Sequence, residues 1–157
     1  MKKRGLGITG LAAIGAALVL SGCGSNSSSS GGEGKSLTKE EFAAKANAIC
    51  ANYLLKTSAL ANTTNEAEAV QLMVDVRALY AKSIADMKKL EPPAAERATV
   101  DRAVTLSEQQ LGTIDQEIAA LRKRDTAAVT KAVGRSKTIT KESNSVFSRL
   151  GAASCTR

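Results

Sequence analysis

No histidine occurs among the 157 residues. That removes both the usual neutral-pH base and the commonest imidazole metal ligand. Haem would need methionine with a second axial ligand, and no Cys-x-x-Cys-His run attaches it covalently. Di-iron sites built on Glu-x-x-His pairs are excluded in the same way. No metal and no cofactor are therefore expected. Asp115 and Glu117 stand two apart, so on a helix they face different sides and suit solvated surface charge better than paired acid–base work. No nucleophile–base set assembles from these residues, and an enzyme is the least expected outcome.

Hydroxyl, cation and thiol chemistry remain. Ser107, Ser136 and Ser143 fall on otherwise apolar helical stripes, with Thr140 beside them and Arg77 one turn from Tyr80. If they converge, the interior holds a small polar pocket able to carry a ligand. The alternative is that each hydroxyl bonds the carbonyl one turn back. Lys131 with Arg135, and Lys137 with Lys141, form two i,i+4 pairs. They are candidates for contact with anionic lipid or wall polymer, against the plainer alternative of a solvated face. Ser36-Leu37-Thr38-Lys39 has the letters of the Ser-x-x-Lys signature of penicillin-binding enzymes. It straddles a flexible stretch and a helix start without the companion signatures, and is set aside.

The thiols are Cys23, Cys50 and Cys155. Cys23 closes the run Leu20-Ser21-Gly22-Cys23, which follows a basic start at Lys2, Lys3 and Arg4 and an apolar middle, the layout of a secretory signal. The four residues resemble the lipobox of bacterial lipoprotein precursors. The resemblance implies cleavage before Cys23, a diacylglyceryl group on its sulfur, and acylation of the new amine with a chain such as palmitate. It places the protein at the cell membrane, lipid-anchored on the extracytoplasmic face. An uncleaved anchor is the alternative, but residues 5–22 are only 18, barely enough to cross ~30 Å of hydrocarbon. Gly5, Gly7, Gly10 and Gly15 weaken a stable helix there. No Arg-Arg pair is present, which favours general secretion over twin-arginine export.

Three regions follow: a signal peptide over 1–22, lipidated Cys23 with a tether over 23–37, and one domain over 38–157. Without Lys2, Lys3 and Arg4 the 22 basic residues fall to 19 against 15 acidic, a net charge of +4. That balance suits weak attraction to anionic headgroups or wall polymers. Only Phe42, Tyr53, Tyr80 and Phe147 are aromatic, so base-stacking platforms are absent and no nucleic-acid partner is expected. Asn26–Ser36 is Ser- and Gly-rich, a flexible spacer, and the 14 residues Gly24–Leu37 have a typical reach of ~20 Å.

The elements that must position these groups all read as helices. Thr38-Lys39-Glu40-Glu41 fits a capping box, and Phe42, Ala46, Ile49, Tyr53 and Leu60 follow on one face. Asn62–Asn65 breaks the pattern and offers a second N-cap. The next stripe runs Val70, Met73, Val76, Tyr80, Ile84, Met87 and Leu90 up to Pro92-Pro93. A third carries Val100, Val104, Ser107, Leu111, Ile114, Ile118 and Leu121 and ends in Arg122-Lys123-Arg124. The fourth, capped at Asp125, carries Val129, Ala132, Ser136, Ile139, Ser143, Val146 and Leu150 before Gly151. Four such segments with short connections predict an all-α, antiparallel up-down four-helix bundle.

With Cys23 acylated, Cys50 and Cys155 remain as an even pair in an oxidising compartment and are expected to form a disulfide. First and fourth helices are neighbours in an up-down bundle, and Gly151–Ser154 would fold back along the first to reach Cys50. The alternative is a buried Cys50 and a tail thiol at Cys155. The spacing Phe42-x3-Ala46-x3-Cys50, with Leu150-Gly151-x3-Cys155, is similar to small helical lipoproteins and secreted proteins of actinobacteria. That similarity implies architecture and compartment but no activity. The expected function is a binding or protein-interaction module of the cell envelope, partnered by an envelope protein or an anionic wall polymer; the alternative is a carrier of a small ligand in the Ser/Thr-lined interior.

Overall fold

A computed structural model describes residues 36–60 and 65–157. The signal, the Leu20–Cys23 box and nearly all of the tether lie outside the described residues. The described part is an all-α helical bundle of four helices: α1 (Lys39–Ser58), α2 (Glu66–Met87), α3 (Arg97–Arg122) and α4 (Thr126–Arg149). Short 3-10 turns occupy Ala94–Glu96 and Ala153–Cys155. No described helix is long and apolar enough to cross a membrane.

Local chemistry sets the helix ends. The Thr38 hydroxyl accepts from the Glu41 amide at 3.2 Å, and the Glu41 carboxylate accepts from the Thr38 amide at 2.8 Å. This reciprocal box satisfies two of the donors that a helix start leaves bare. Asn65 and Asp125 cap α2 and α4 by accepting from the amides of Glu68 and Ala128. Both α3 and α4 end in a left-handed residue, Arg124 at φ 56° and Gly151 at φ 74°. At each end one amide reaches five residues back, Asp125 to Ala120 and Ala152 to Phe147. These are Schellman closures. Glycine suits position 151 because an L side chain is strained at that positive φ.

Close packing joins α1 to α2, α2 to α3, and most extensively α3 to α4. Neighbourhood of α1 and α4, expected from sequence, takes a different form: the terminal turn Ala153–Cys155 packs on both helices. Phe42 and Ala46 of α1, Val100, Ala103 and Leu106 of α3, and Val146 and Phe147 of α4 share one buried cluster with Leu150, Ala152 and Cys155. A second cluster holds Tyr80 and Ile84 of α2 against Ile114 and Ile118 of α3. Leu37, assigned above to the tether, packs on the first cluster and donates its amide to the Glu91 carbonyl at 3.2 Å.

Surface ion pairs add a pH dependence. Hydrogen bonds from Lys89 and Lys82 hold the Asp86 carboxyl down at about 2. Arg77 lowers Asp115, and Lys39 lowers Glu96. Burial raises Glu117 and opposes them. A lowered carboxylate contributes stability that is present above its unfolded value, near ~4, and lost as pH falls through its folded value. Denaturant midpoints should therefore hold down to about pH 5 and fall between about pH 4 and pH 2. Asp86→Asn should flatten part of that fall; an unchanged acid limb in the variant would remove Asp86 as a cause.

Candidate functional site

The terminal segment is fastened down at four points. Cys50 and Cys155 form a disulfide with a Cα–Cα distance of 5.1 Å. The Asn47 amide group donates to the Gly151 carbonyl at 3.1 Å and accepts from the Ser154 amide at 2.8 Å. Asn144 does the same for Arg157, accepting from its amide at 2.9 Å and donating to its carbonyl at 2.6 Å. The Arg157 guanidinium lies 4.5 Å from the Tyr80 ring centre and 4.9 Å from that of Tyr53. The two rings are 5.5 Å apart, so the cation meets both π faces. Burial pushes the Tyr53 phenol up, and the Arg157 charge partly offsets that.

Beside this segment lies a partly open cavity with about 40 Å³ of free space, room for about three water molecules. Its polar wall is Ser83, Ser107, Gln110, Thr140, Ser143 and Asn144. Its apolar wall is Ile84, Met87, Val104, Ile139 and Phe147. Leu54 and Arg157, both exposed, lie at its rim with the disulfide and Ser154. Among the described residues Arg157 is the one charged side chain lining it.

Gln110 is the anomaly. It is 8 % exposed, its Nε2 donates to the Ser136 hydroxyl, and its Oε1 is buried without a hydrogen-bond partner. An unmet buried carbonyl oxygen costs about 1–3 kcal/mol, a cost removed by any donor that reaches it. The Ser107 hydroxyl donates to the Ala103 carbonyl at 2.9 Å, and Ser83 to the Tyr80 carbonyl at 2.7 Å. For Ser107 the back-bonded alternative thus applies, yet the residue still lines the cavity and its oxygen keeps acceptor capacity.

The structure sorts the residues singled out by sequence. Ser107, Thr140 and Ser143 line the cavity together, and Cys50 and Cys155 close one side of it. Ser136 is not on the wall; it holds Gln110 from behind. Arg77 is elsewhere, making a two-pronged pair with Asp115 at 2.7 and 3.1 Å on the outside of α2 and α3. Its long side chain reaches a partner on the next helix, which its spacing of one turn from Tyr80 does not reveal. Lys131, Arg135, Lys137 and Lys141 are all exposed. Lys131 and Arg135 border a groove of about 410 Å³ beside the α3–α4 turn, with Lys123 and Asp125, and Lys137 and Lys141 do not. At ~100° per residue the two pairs sit about 120° apart around α4, so they do not form one patch.

Sequence reasoning missed Gln110, Asn144, Asn47 and the Tyr53–Tyr80–Arg157 group. Gln110 stands three residues after Ser107 on the same face, a spacing that marks it as a neighbour. Nothing comparable marks Arg157, whose place depends on how the segment after α4 folds. Among the described residues no group of three histidine, cysteine or acidic side chains is placed to hold a metal ion. Compared with protein-family models, curated proteins and solved structures, the chain matches none.

Proposed function

We propose that this is a lipid-anchored binding protein of the cell envelope, held by acylated Cys23 on the extracytoplasmic face, that takes a small ligand into the cavity beside its terminal segment. The observation that carries the ligand is Gln110: a buried amide oxygen without a partner on a residue lining a cavity that also presents hydroxyls, the Asn144 amide, Arg157 and apolar groups. Small-ligand sites typically combine an apolar wall with a few placed polar groups. Support for the anchor is the basic start, apolar run and Leu20-Ser21-Gly22-Cys23 box, together with a disulfide suited to an oxidising compartment.

We infer antiparallel up-down helices. Arg102 pairs with Glu142 and Gln110 with Ser136, so a later position on α3 meets an earlier one on α4. Arg77–Asp115 and Lys88–Glu108 relate α2 to α3 in the same sense. We infer binding without catalysis because the chain has no histidine and, among the described residues, no carboxylate side chain lines the cavity. The membrane, through the anchor, is the partner on this reading.

One experiment tests anchor and ligand together. Native mass spectrometry of the protein released from its own host's membranes should report a diacylglyceryl-bearing, acylated Cys23 as the first residue. It should also report a stoichiometric small molecule that leaves on collisional activation. A membrane form with a free Cys23 thiol would refute the anchor, and a ligand-free mass at every activation energy would refute the carrier.

A further inference from the structure

Arg157 is the feature that the cavity's polar wall does not account for. Its backbone is clamped on both sides by Asn144, while its guanidinium rests on the faces of Tyr53 and Tyr80. Among the described residues it has no carboxylate partner. A stacked guanidinium engages the rings through its plane and keeps its N–H edge available, and that edge matches a carboxylate with two parallel hydrogen bonds. Among the described residues no acidic side chain lines the wall, so no side-chain carboxylate there competes for the cation. The second fixed point is the Gln110 Oε1 acceptor, which requires a donor. The wall also offers Ile84, Met87 and Phe147, which suit an apolar body.

We propose, building on the cavity as a ligand site, that Arg157 is its anion-binding residue and that the ligand is a compact organic carboxylate bearing an O–H or N–H donor on an apolar body. The free space of about 40 Å³ is smaller than such a body, so entry displaces cavity water and swings the exposed Arg157 side chain outward. The ligand's carboxylate remains at the rim with Arg157, and its donor meets Gln110.

The test uses the full mature chain in nanodiscs, with isotope-labelled methionine methyl groups observed by NMR. Met87 lines the cavity, whereas Met73 packs against the Tyr80–Ile114 cluster and does not line it. Three compounds of one shape are titrated: para-hydroxyphenylacetate, its neutral amide, and tyramine as the cation. The acid should shift Met87 in preference to Met73 and bind at least tenfold more tightly than the amide. Arg157→Gln should bring the acid down to the amide's level, and Arg157→Lys, which keeps the charge but loses the fork, should fall between. Gln110→Leu should weaken para-hydroxyphenylacetate but leave phenylacetate, which lacks the donor, unchanged.

Equal binding of acid and amide, or an acid preference that survives in Arg157→Gln, would overturn the anion assignment while leaving the cavity as a ligand site. Tightest binding by tyramine would overturn it too, making the tyrosines a cation site that Arg157 occupies. No Met87 shift with any of the three would overturn both this assignment and the ligand site itself.

Discussion

Replacing Cys50 and Cys155 together by alanine should lower the unfolding temperature by roughly 10–20 °C, with a loss of about 3–5 kcal/mol. The cross-link spans 105 residues of sequence, nearly the whole domain. In the chain-entropy model a loop of that length restrains the unfolded state by ~4–5 kcal/mol, and native disulfides typically deliver about 2–5. The folded state loses something more specific. The bond fastens the terminal turn to α1, and that turn packs on both α1 and α4. Without it the segment is held by Asn47 and Asn144 and by burial of Ala152, all of which can open locally. The amides of Ser154 and Arg157 should therefore exchange with solvent faster in the double variant than the global stability loss alone requires. Calorimetry and amide exchange check the two parts. A midpoint within a few degrees of the parent would show that noncovalent contacts suffice and that the bridge is dispensable.

Leu106→Ala should cost about 3–4 kcal/mol, while Leu55→Ala should change stability by less than about 0.5. Leu106 is 1 % exposed and sits in the cluster built from α1, α3 and α4. Its truncation removes transfer free energy and leaves a void that rigid helices fill only in part. Leu55, at 71 % exposure, gives up contact mainly with water. Denaturant midpoints compared at constant m-value check the contrast. Equal losses for the two leucines would place the core somewhere other than the α1–α3–α4 cluster.

That pair of leucines separates what the chain declares locally from what it settles by packing. Helix starts and stops were legible because each is decided by a few consecutive residues. The Thr38–Glu41 box, the Asn65 and Asp125 caps and the Gly151 stop all stand where their chemistry puts them. The α4 stripe was legible as well, with Ala132, Ile139, Val146 and Leu150 buried, since that helix offers one face to the core. α3 was only half legible. It packs against both α2 and α4, so it buries Leu106, Gln110 and Thr113 beyond the single stripe that periodicity could detect. A polar residue such as Gln110 reads as surface until a second helix covers it.

The cysteines divide in the same way. Their even number after Cys23 was a matter of counting, whereas the 5.1 Å approach of Cys50 and Cys155 depends on where the segment after Gly151 comes to rest. So does the cavity. Ser107, Thr140 and Ser143 were recognisable as hydroxyls on apolar stripes, but Arg77 left the site for Asp115 and Arg157 entered it. Sequence spacing specifies a residue's direction around its own helix. The partner that a long side chain reaches, and the segment that covers a gap between helices, are fixed by contacts between residues far apart in sequence, and those exist only once the chain has packed.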